Sequence, residues 1–372
     1  MKKITFLALH LGYGGIEKCI STVANNLCDS YEVEIIVTYK LYEKPVFDLN
    51  PNIKVRYLIY DKPNRCEFIT ACKKFKLITA FKEGLKSINL LKNKKKKMIE
   101  AIKNCNSDIM ISTRDIHNEW LGKYGKKDII KIGWEHNFHK NNKKYINKIV
   151  KSVKDLDYFV LVSKEQQKFY SEIVKPECVY IPNSIEDYKN EFSQLENNNL
   201  ISIGRLSKEK GFVDLIEVCS YVKEIIPNFK LNLVGDGVEK KDIEKAICKF
   251  HLEENIIMHG FLKTEEINKL LMESSIYVMT SFTESFGIVL LEAASYAIPA
   301  ISFKNSGANE IISNNWDGYL IDNRDKKIMA KKIVELLKNK NRRIIMGRNA
   351  YKKCLTYSID NVIEMWKKLL ER

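Results

Sequence analysis

The feature that most constrains this chain is a unit that recurs along it: a short apolar run, a glycine-bearing turn, then a stretch with helical spacing. Residues 200–203 run into Gly204, residues 229–234 into Gly235-Asp236-Gly237, and residues 256–258 into His259-Gly260-Phe261. A strand buried on both faces reads as an unbroken apolar run, and a parallel neighbour requires a helical crossover back to the same sheet edge. The chain opens the same way. Residues 3–9 read as a strand, His10-Leu-Gly-Tyr-Gly-Gly-Ile-Glu17 as a turn, and a helix to about Cys28 carries Ile16, Cys19, Ile20, Val23, Ala24 and Leu27 on one stripe. The fold class is therefore α/β and doubly wound.

A chain of 372 residues is too long for one ordinary domain, and two of roughly 150–200 residues are expected. We place a first domain at 1–185, a linker rich in Asn, Glu, Asp and Gln at 186–198, a second domain at 199–355 and a C-terminal helix at 356–372. No run approaches the roughly 20 apolar residues that cross a bilayer, and the N-terminus reads as a strand rather than a signal peptide, so a cytoplasmic location is expected. The nine cysteines show no close pair of ligand spacing. Cys19, Cys28, Cys219 and Cys248 are expected on buried helix faces.

The formal charge of +15 suits nucleic acid, an anionic lipid surface or a phosphorylated substrate, and the total does not choose among them. Its placement says more. Residues 73–97 hold ten lysines and one acid, Glu83, interleaved with Phe75, Leu77, Ile78, Phe81, Leu85, Ile88, Leu90 and Leu91. Such a segment is either a helical cover with a solvated basic face or a helix lying on an anionic membrane. A second basic helix is expected over 140–154, with six lysines and no acid.

Candidate site residues gather at strand ends. Residues 277–279 read as a buried strand, 281–285 as its exit loop and 287–296 as the next helix, which sets Glu284 before the helix and Glu292 inside it. Two such carboxylates can accept hydrogen bonds from vicinal hydroxyls of a sugar or ribose, and backbone N–H groups from Phe286 to Val289 suit a phosphate or sugar oxygen. Two solvated glutamates on a surface helix are the plain alternative. Arg205 and Lys210 flank another helix start and make a site for a diphosphate. Gly14 and Gly15 allow close approach to a sugar or phosphate, although the spacing departs from the dinucleotide-binding pattern and a tight turn explains it equally. His136, in Trp134-Glu-His-Asn137 at the end of the strand at 129–133, is the preferred histidine, ahead of His139, His117 and His10. The polar residues Glu135 and Asn137 beside it suggest a lined cleft.

In order along the chain, Gly14-Gly15, Glu135-His136-Asn137, Gly204-Arg205 with Lys210-Gly211, Gly235-Asp236-Gly237, Gly260-Phe261, and Glu284 to Glu292 around Phe286-Gly287 resemble the retaining glycosyltransferases of the glycosyl-group-1, glycogen-synthase-like class (family 4, GT-B fold). The resemblance spans nearly the whole chain. It implies two Rossmann-like domains facing across a cleft, with a C-terminal helix crossing back to the first domain.

The resemblance also implies roles. Arg205 and Lys210 would hold the donor diphosphate, Glu292 the ribose, and Glu284 the sugar hydroxyls; groups near Phe261 would touch the base. Ser285, Phe286, Gly287 and Ile288 would present N–H groups, Gly235 would shape the pocket, and Gly14 and Gly15 would close over the donor. His136 would meet the sugar or acceptor side. The partners implied are a nucleotide-sugar donor, UDP-linked by family frequency, and a lipid-linked or polysaccharide acceptor at an anionic membrane face in cell-surface glycan synthesis. No cofactor or metal is implied, and no nucleic acid. A departure lies at Ser306-Gly-Ala-Asn-Glu310, where many relatives carry a second glycine; Glu310 there is expected to make a structural contact. The rival readings are a basic nucleic-acid-binding protein, which leaves the paired glutamates unexplained, and a nucleotide-sugar epimerase on the same architecture.

Overall fold

The computed structural model describes residues 1–186 and 191–372; of the expected linker, 187–190 lie outside the described residues. The chain forms two compact units. One comprises Met1–Val162, Gln166–Ile181 and Ile363–Arg372, and the other Ser163–Glu165 and Pro182–Val362.

The first unit is built on seven parallel strands: β1 (Lys3–Ala8), β2 (Glu32–Tyr39), β3 (Lys54–Ile59), β4 (Ile109–Ser112), β5 (Ile130–Glu135), β6 (Tyr158–Leu161) and β7 (Glu177–Tyr180). The second has six: β8 (Asn199–Ile203), β9 (Lys230–Val234), β10 (Ile256–Gly260), β11 (Ile276–Met279), β12 (Ala300–Phe303) and β13 (Gly318–Ile321). Their orders are β3-β2-β1-β4-β5-β6-β7 and β10-β9-β8-β11-β12-β13, with parallel pairing throughout. The unbroken apolar runs have the burial they imply: Ile4, Phe6, Leu7 and Ala8 of β1, and Ile35, Ile36 and Val37 of β2, are fully enclosed. In the second unit Leu215, Ile216 and Cys219 of the helix Phe212–Lys223 pack with Leu231, Ile276 and Met329 in one core. Strand order reverses between β1 and β4 and again between β8 and β11. These are the topological switch points of the two sheets, where ligands of open α/β sheets bind.

One expectation needs correction. Cys248 is exposed, while Cys19, Cys28 and Cys219 are buried. The helix Lys240–Lys249 buries Ile243, Ala246 and Ile247, and the residue after Ile247 turns toward solvent. The lysine-rich segment forms the helices Arg65–Lys73 and Leu77–Lys103, but most of its apolar residues do not pack at home. Leu90, Met98, Ala101 and Ile102 are buried, whereas Phe75, Leu77, Ile78, Phe81, Leu85, Ile88 and Leu91 are exposed.

The last helix, Ile359–Leu370, starts where the Ser358 hydroxyl accepts the Asn361 N–H at 3.1 Å. It buries Val362, Ile363, Trp366, Leu369 and Leu370, a helical stripe. Its residues from Ile363 onward belong to the first unit. Trp366 meets Trp134 of β5 edge-on with ring centroids 4.9 Å apart, and both side chains are enclosed. Trp366→Ala is expected to destabilise the first unit by about 3–5 kcal/mol, measured as a lowered urea midpoint of the transition that reports that unit.

Candidate active site

In the second unit, β8 and β11 are neighbours, so the loops leaving them emerge side by side. The β8 loop runs through Gly204 and Arg205 into a single 3-10 turn, Lys208–Lys210, and Gly211 in the left-handed region (φ 65°) starts the helix Phe212–Lys223. The β11 loop runs through Glu284 to Gly287, which precedes the helix Ile288–Ser295. The two loops are joined by an ion pair, Lys210 Nζ to Glu284 Oε2 at 2.5 Å, with both side chains about four-fifths enclosed. Backbone ties reinforce it: the Phe282 N–H donates to the Glu209 carbonyl at 2.8 Å and the Thr280 hydroxyl to the Lys210 carbonyl at 3.2 Å.

A residue that sequence reasoning missed holds this junction. The Arg324 guanidinium donates to the carbonyls of Thr280 (2.9 Å) and Ser281 (3.1 Å), pairs with Asp214 at 2.6 Å, and lies 3.5 Å over the Phe282 ring. Nothing local in the sequence marks it, because it arrives from beyond β13.

Arg205 lies at the rim with its side chain 71% exposed, paired with Glu209 at 2.8 Å. The glycine turns are laced together. Gly204 N–H donates to the Val234 carbonyl, Leu206 N–H to Asp236, and Gly235 N–H to Gly260. Gly235 (φ 137°) leaves no room for a Cβ, which would collide with the Gly204 carbonyl. Phe286 and Gly287 are buried and Ser285, Ile288 and Glu292 half-buried, while Phe261 exposes its ring. Gly287 (φ 89°) stands at the N-cap of the helix beginning at Ile288 and supplies no side-chain cap. The buried Tyr277 hydroxyl donates to the Ile203 carbonyl. Burial raises its pKa, and the charges of Glu292 and Glu284 add to the effect. Glu310 accepts the Lys164 N–H at 3.0 Å, the structural contact expected of it.

In the first unit the corresponding loops follow β1 and β4. Glu17, 3% exposed, pairs with Arg114 at 2.9 Å, and His10 Nδ1 lies 3.6 Å from the same carboxylate while accepting the Gly12 N–H. Burial lowers the His10 pKa, Glu17 opposes that shift, and Arg114 adds to it. This trio stands beside Gly14 and Gly15, and the sequence reading had ranked His10 last. The available signal was position, since both loops flank the reversal of strand order.

His136 is buried and lies on the Trp134 ring at 4.3 Å. Burial first, and then Arg114, holds its pKa down to about 3, so the imidazole is neutral. Its Nε2 has no hydrogen-bond partner within the fold. Glu135 beside it is held by its own neighbours. Its carboxylate is buried, accepting the Asn137 N–H at 2.7 Å and the Tyr145 hydroxyl at 3.1 Å. His117 bonds Thr38 at 3.1 Å and His139 stacks on Phe169 at 4.1 Å, both within the core. Among the described residues no group of three or more His, Cys, Asp or Glu is arranged to hold a metal ion.

Residues 184–353 match the family described as glycosyl transferases group 1. Over its full length the chain is 24% identical to an uncharacterized glycosyltransferase of Haemophilus influenzae, with all of both proteins covered. It is 26% identical to the GalNAc-alpha-(1->4)-GalNAc-alpha-(1->3)-diNAcBac-PP-undecaprenol alpha-1,4-N-acetyl-D-galactosaminyltransferase of Campylobacter jejuni, covering 100% of this chain and 98% of the relative. The structure superposes on that of S. aureus TarM, solved with UDP, alpha-GlcNAc-glycerol and fondaparinux, with a TM-score of 0.80 at 18% identity over 100% of both chains. The chain is a GT-B-fold glycosyltransferase related to the group 1 enzymes. It transfers a sugar from a nucleotide-sugar donor to an acceptor in glycan biosynthesis.

In this glycosyltransferase Glu135 gives a pH-dependent stability. Burial lifts its carboxyl from 4.5 to about 7, so between those values the folded state keeps a proton that the unfolded chain releases. That contribution is complete below pH 4.5 and lost as pH rises through 7. Glu135→Gln is expected to flatten the fall in melting temperature across this window, measured by thermal unfolding at a series of pH values.

Proposed function

We propose that the enzyme moves a hexose or N-acetylhexosamine, with retention of anomeric configuration, from a UDP-sugar to a lipid-linked or polysaccharide acceptor. The observation that carries this reading is the Lys210–Glu284 pair at the β8/β11 reversal, with Arg205 at its rim and an uncapped helix start behind it. One cation for a diphosphate and one carboxylate for sugar hydroxyls stand in fixed register, which is the chemistry that a nucleotide-sugar demands.

In this reading Lys210 keeps Glu284 with one N–H and offers the others to the diphosphate, since an ammonium has three donors. Arg205 adds a planar fork. Both oppose the charge that grows on the departing nucleoside diphosphate. Glu284 accepts from sugar hydroxyls, and Glu292 from the ribose. Backbone N–H groups of Ser285 to Ile288 take phosphate or sugar oxygens, the Gly235 turn borders the donor, and backbone groups near Phe261 touch the base. In the first unit Gly14 and Gly15 contact the donor, and the free Nε2 of His136 meets the sugar or the acceptor. The bond from the anomeric carbon to the diphosphate breaks as the acceptor oxygen bonds to the same face. The acceptor's proton passes to the leaving phosphate oxygen, so no protein nucleophile and no metal ion is needed.

The choice of UDP rests on the TarM complex, and the choice of a lipid-linked acceptor on the Campylobacter relative. Among the described residues no helix is long and apolar enough to cross a membrane; we place the enzyme peripherally on the cytoplasmic membrane face, where such acceptors are presented. Arg205→Ala and Lys210→Ala are each expected to lower kcat by about 10²–10³-fold, in a screen of UDP- and GDP-sugars over a panel of acceptors. Full turnover in both variants refutes the diphosphate assignment.

A further inference from the structure

The helix Leu77–Lys103 uses one side to pack. Leu90, Met98, Ala101 and Ile102 are buried there, and near its start Asn64 donates to the Glu83 carboxylate at 2.6 Å and accepts the Ser87 hydroxyl at 2.8 Å. At about 100° per residue, Leu77, Ile78, Phe81, Leu85, Ile88 and Leu91 share an arc of about 140°, and in this first half of the helix Glu83, Ser87 and the buried Leu90 lie on the opposite side. They are 79%, 77%, 70%, 49%, 50% and 59% exposed, and Phe75, just before the helix, is 87% exposed. Beyond Leu91 the same arc becomes cationic, with Lys92, Lys95 and Lys96. Lys73, Lys74 and Lys76 stand at its other end and Lys82 and Lys86 along one flank, all exposed. The segment's one acid, Glu83, is turned toward Asn64.

We infer that residues 75–91 are a membrane-docking face that lies flat on an anionic bilayer. This rests on the peripheral membrane location proposed above and deepens it by naming the surface and its orientation. An apolar strip with a lysine rim fits acyl chains beneath anionic headgroups. A second copy of the chain fits poorly, because a two-fold pairing of this face sets one lysine rim against the other. Nucleic acid leaves Leu77, Ile78, Leu85, Ile88 and Leu91 without an apolar partner. The flat orientation follows from lysines at both ends of the strip: entering end-on would draw Lys73, Lys74 and Lys76 into hydrocarbon.

The test is co-sedimentation of the full-length enzyme, at low salt, with vesicles of phosphatidylcholine alone or mixed with phosphatidylglycerol. Wild type is expected to sediment with the mixed vesicles and to stay in solution with the neutral ones. The triple variant Phe75→Ser, Ile78→Ser, Phe81→Ser is expected to lose at least about tenfold in vesicle affinity, with its melting temperature and its turnover on a soluble acceptor unchanged. Lys144→Ser with Lys151→Ser, on the other basic helix, is expected to bind as wild type does. Vesicle binding that survives the triple variant overturns this surface and leaves the peripheral location standing. Failure of wild type to bind mixed vesicles overturns both. Turnover on the soluble acceptor reports separately on the donor site. A wild-type dimer that the triple variant abolishes, without vesicle binding, assigns the face to a second copy instead.

Discussion

Two parallel strands cannot be joined by a hairpin, so within each sheet of this protein every strand but the last must be followed by a crossover that carries the chain back to the starting edge. All the strand C-termini of a sheet then open on one side. Where the strand order reverses, the two crossovers diverge and leave their loops beside each other with no helix between them. The polar chemistry of each unit collects at that gap. Lys210 and Glu284 are far apart in sequence and meet because β8 and β11 are adjacent. Glu17 and Arg114 meet for the same reason at β1 and β4.

The cations at these gaps have carboxylates already set against them. Lys210 is held by Glu284, Arg114 by Glu17 and Arg205 by Glu209. The arrangement fixes long side chains before any substrate arrives, which lowers the entropy lost on binding. The pairs differ in how readily they give way. The exposed Arg205–Glu209 pair is a surface interaction of small worth, so the guanidinium can leave it at little cost. The enclosed Lys210–Glu284 pair is held more firmly.

Much of this was legible in the sequence because it depends on local pattern. Apolar runs gave the strands, glycine turns gave their exits, and the last helix was visible from its cap and stripe. The Gly204–Lys210 and Glu284–Glu292 stretches stood out because each joins a strand end to a helix start. What escaped was set by contacts distant in the chain. Arg324 touches Thr280 across 44 residues and Arg114 touches Glu17 across 97, and no window of sequence contains both partners. Periodicity also told which residues of 77–91 share a face without telling whether anything covers that face. Cys248 failed in a related way, since one step around a short helix separates a buried position from a solvated one.

The placement of Trp366 has a consequence for how the protein is made. The first unit is nearly all synthesised by residue 181, yet its inner wall at Trp134 is supplied by residues from 363 onward. On the ribosome that unit must wait, with part of its core open, while the whole second unit emerges. A chain cut short by a premature stop or a clipped tail never closes this opening. Such a product exposes the Trp134 ring that Trp366 otherwise covers.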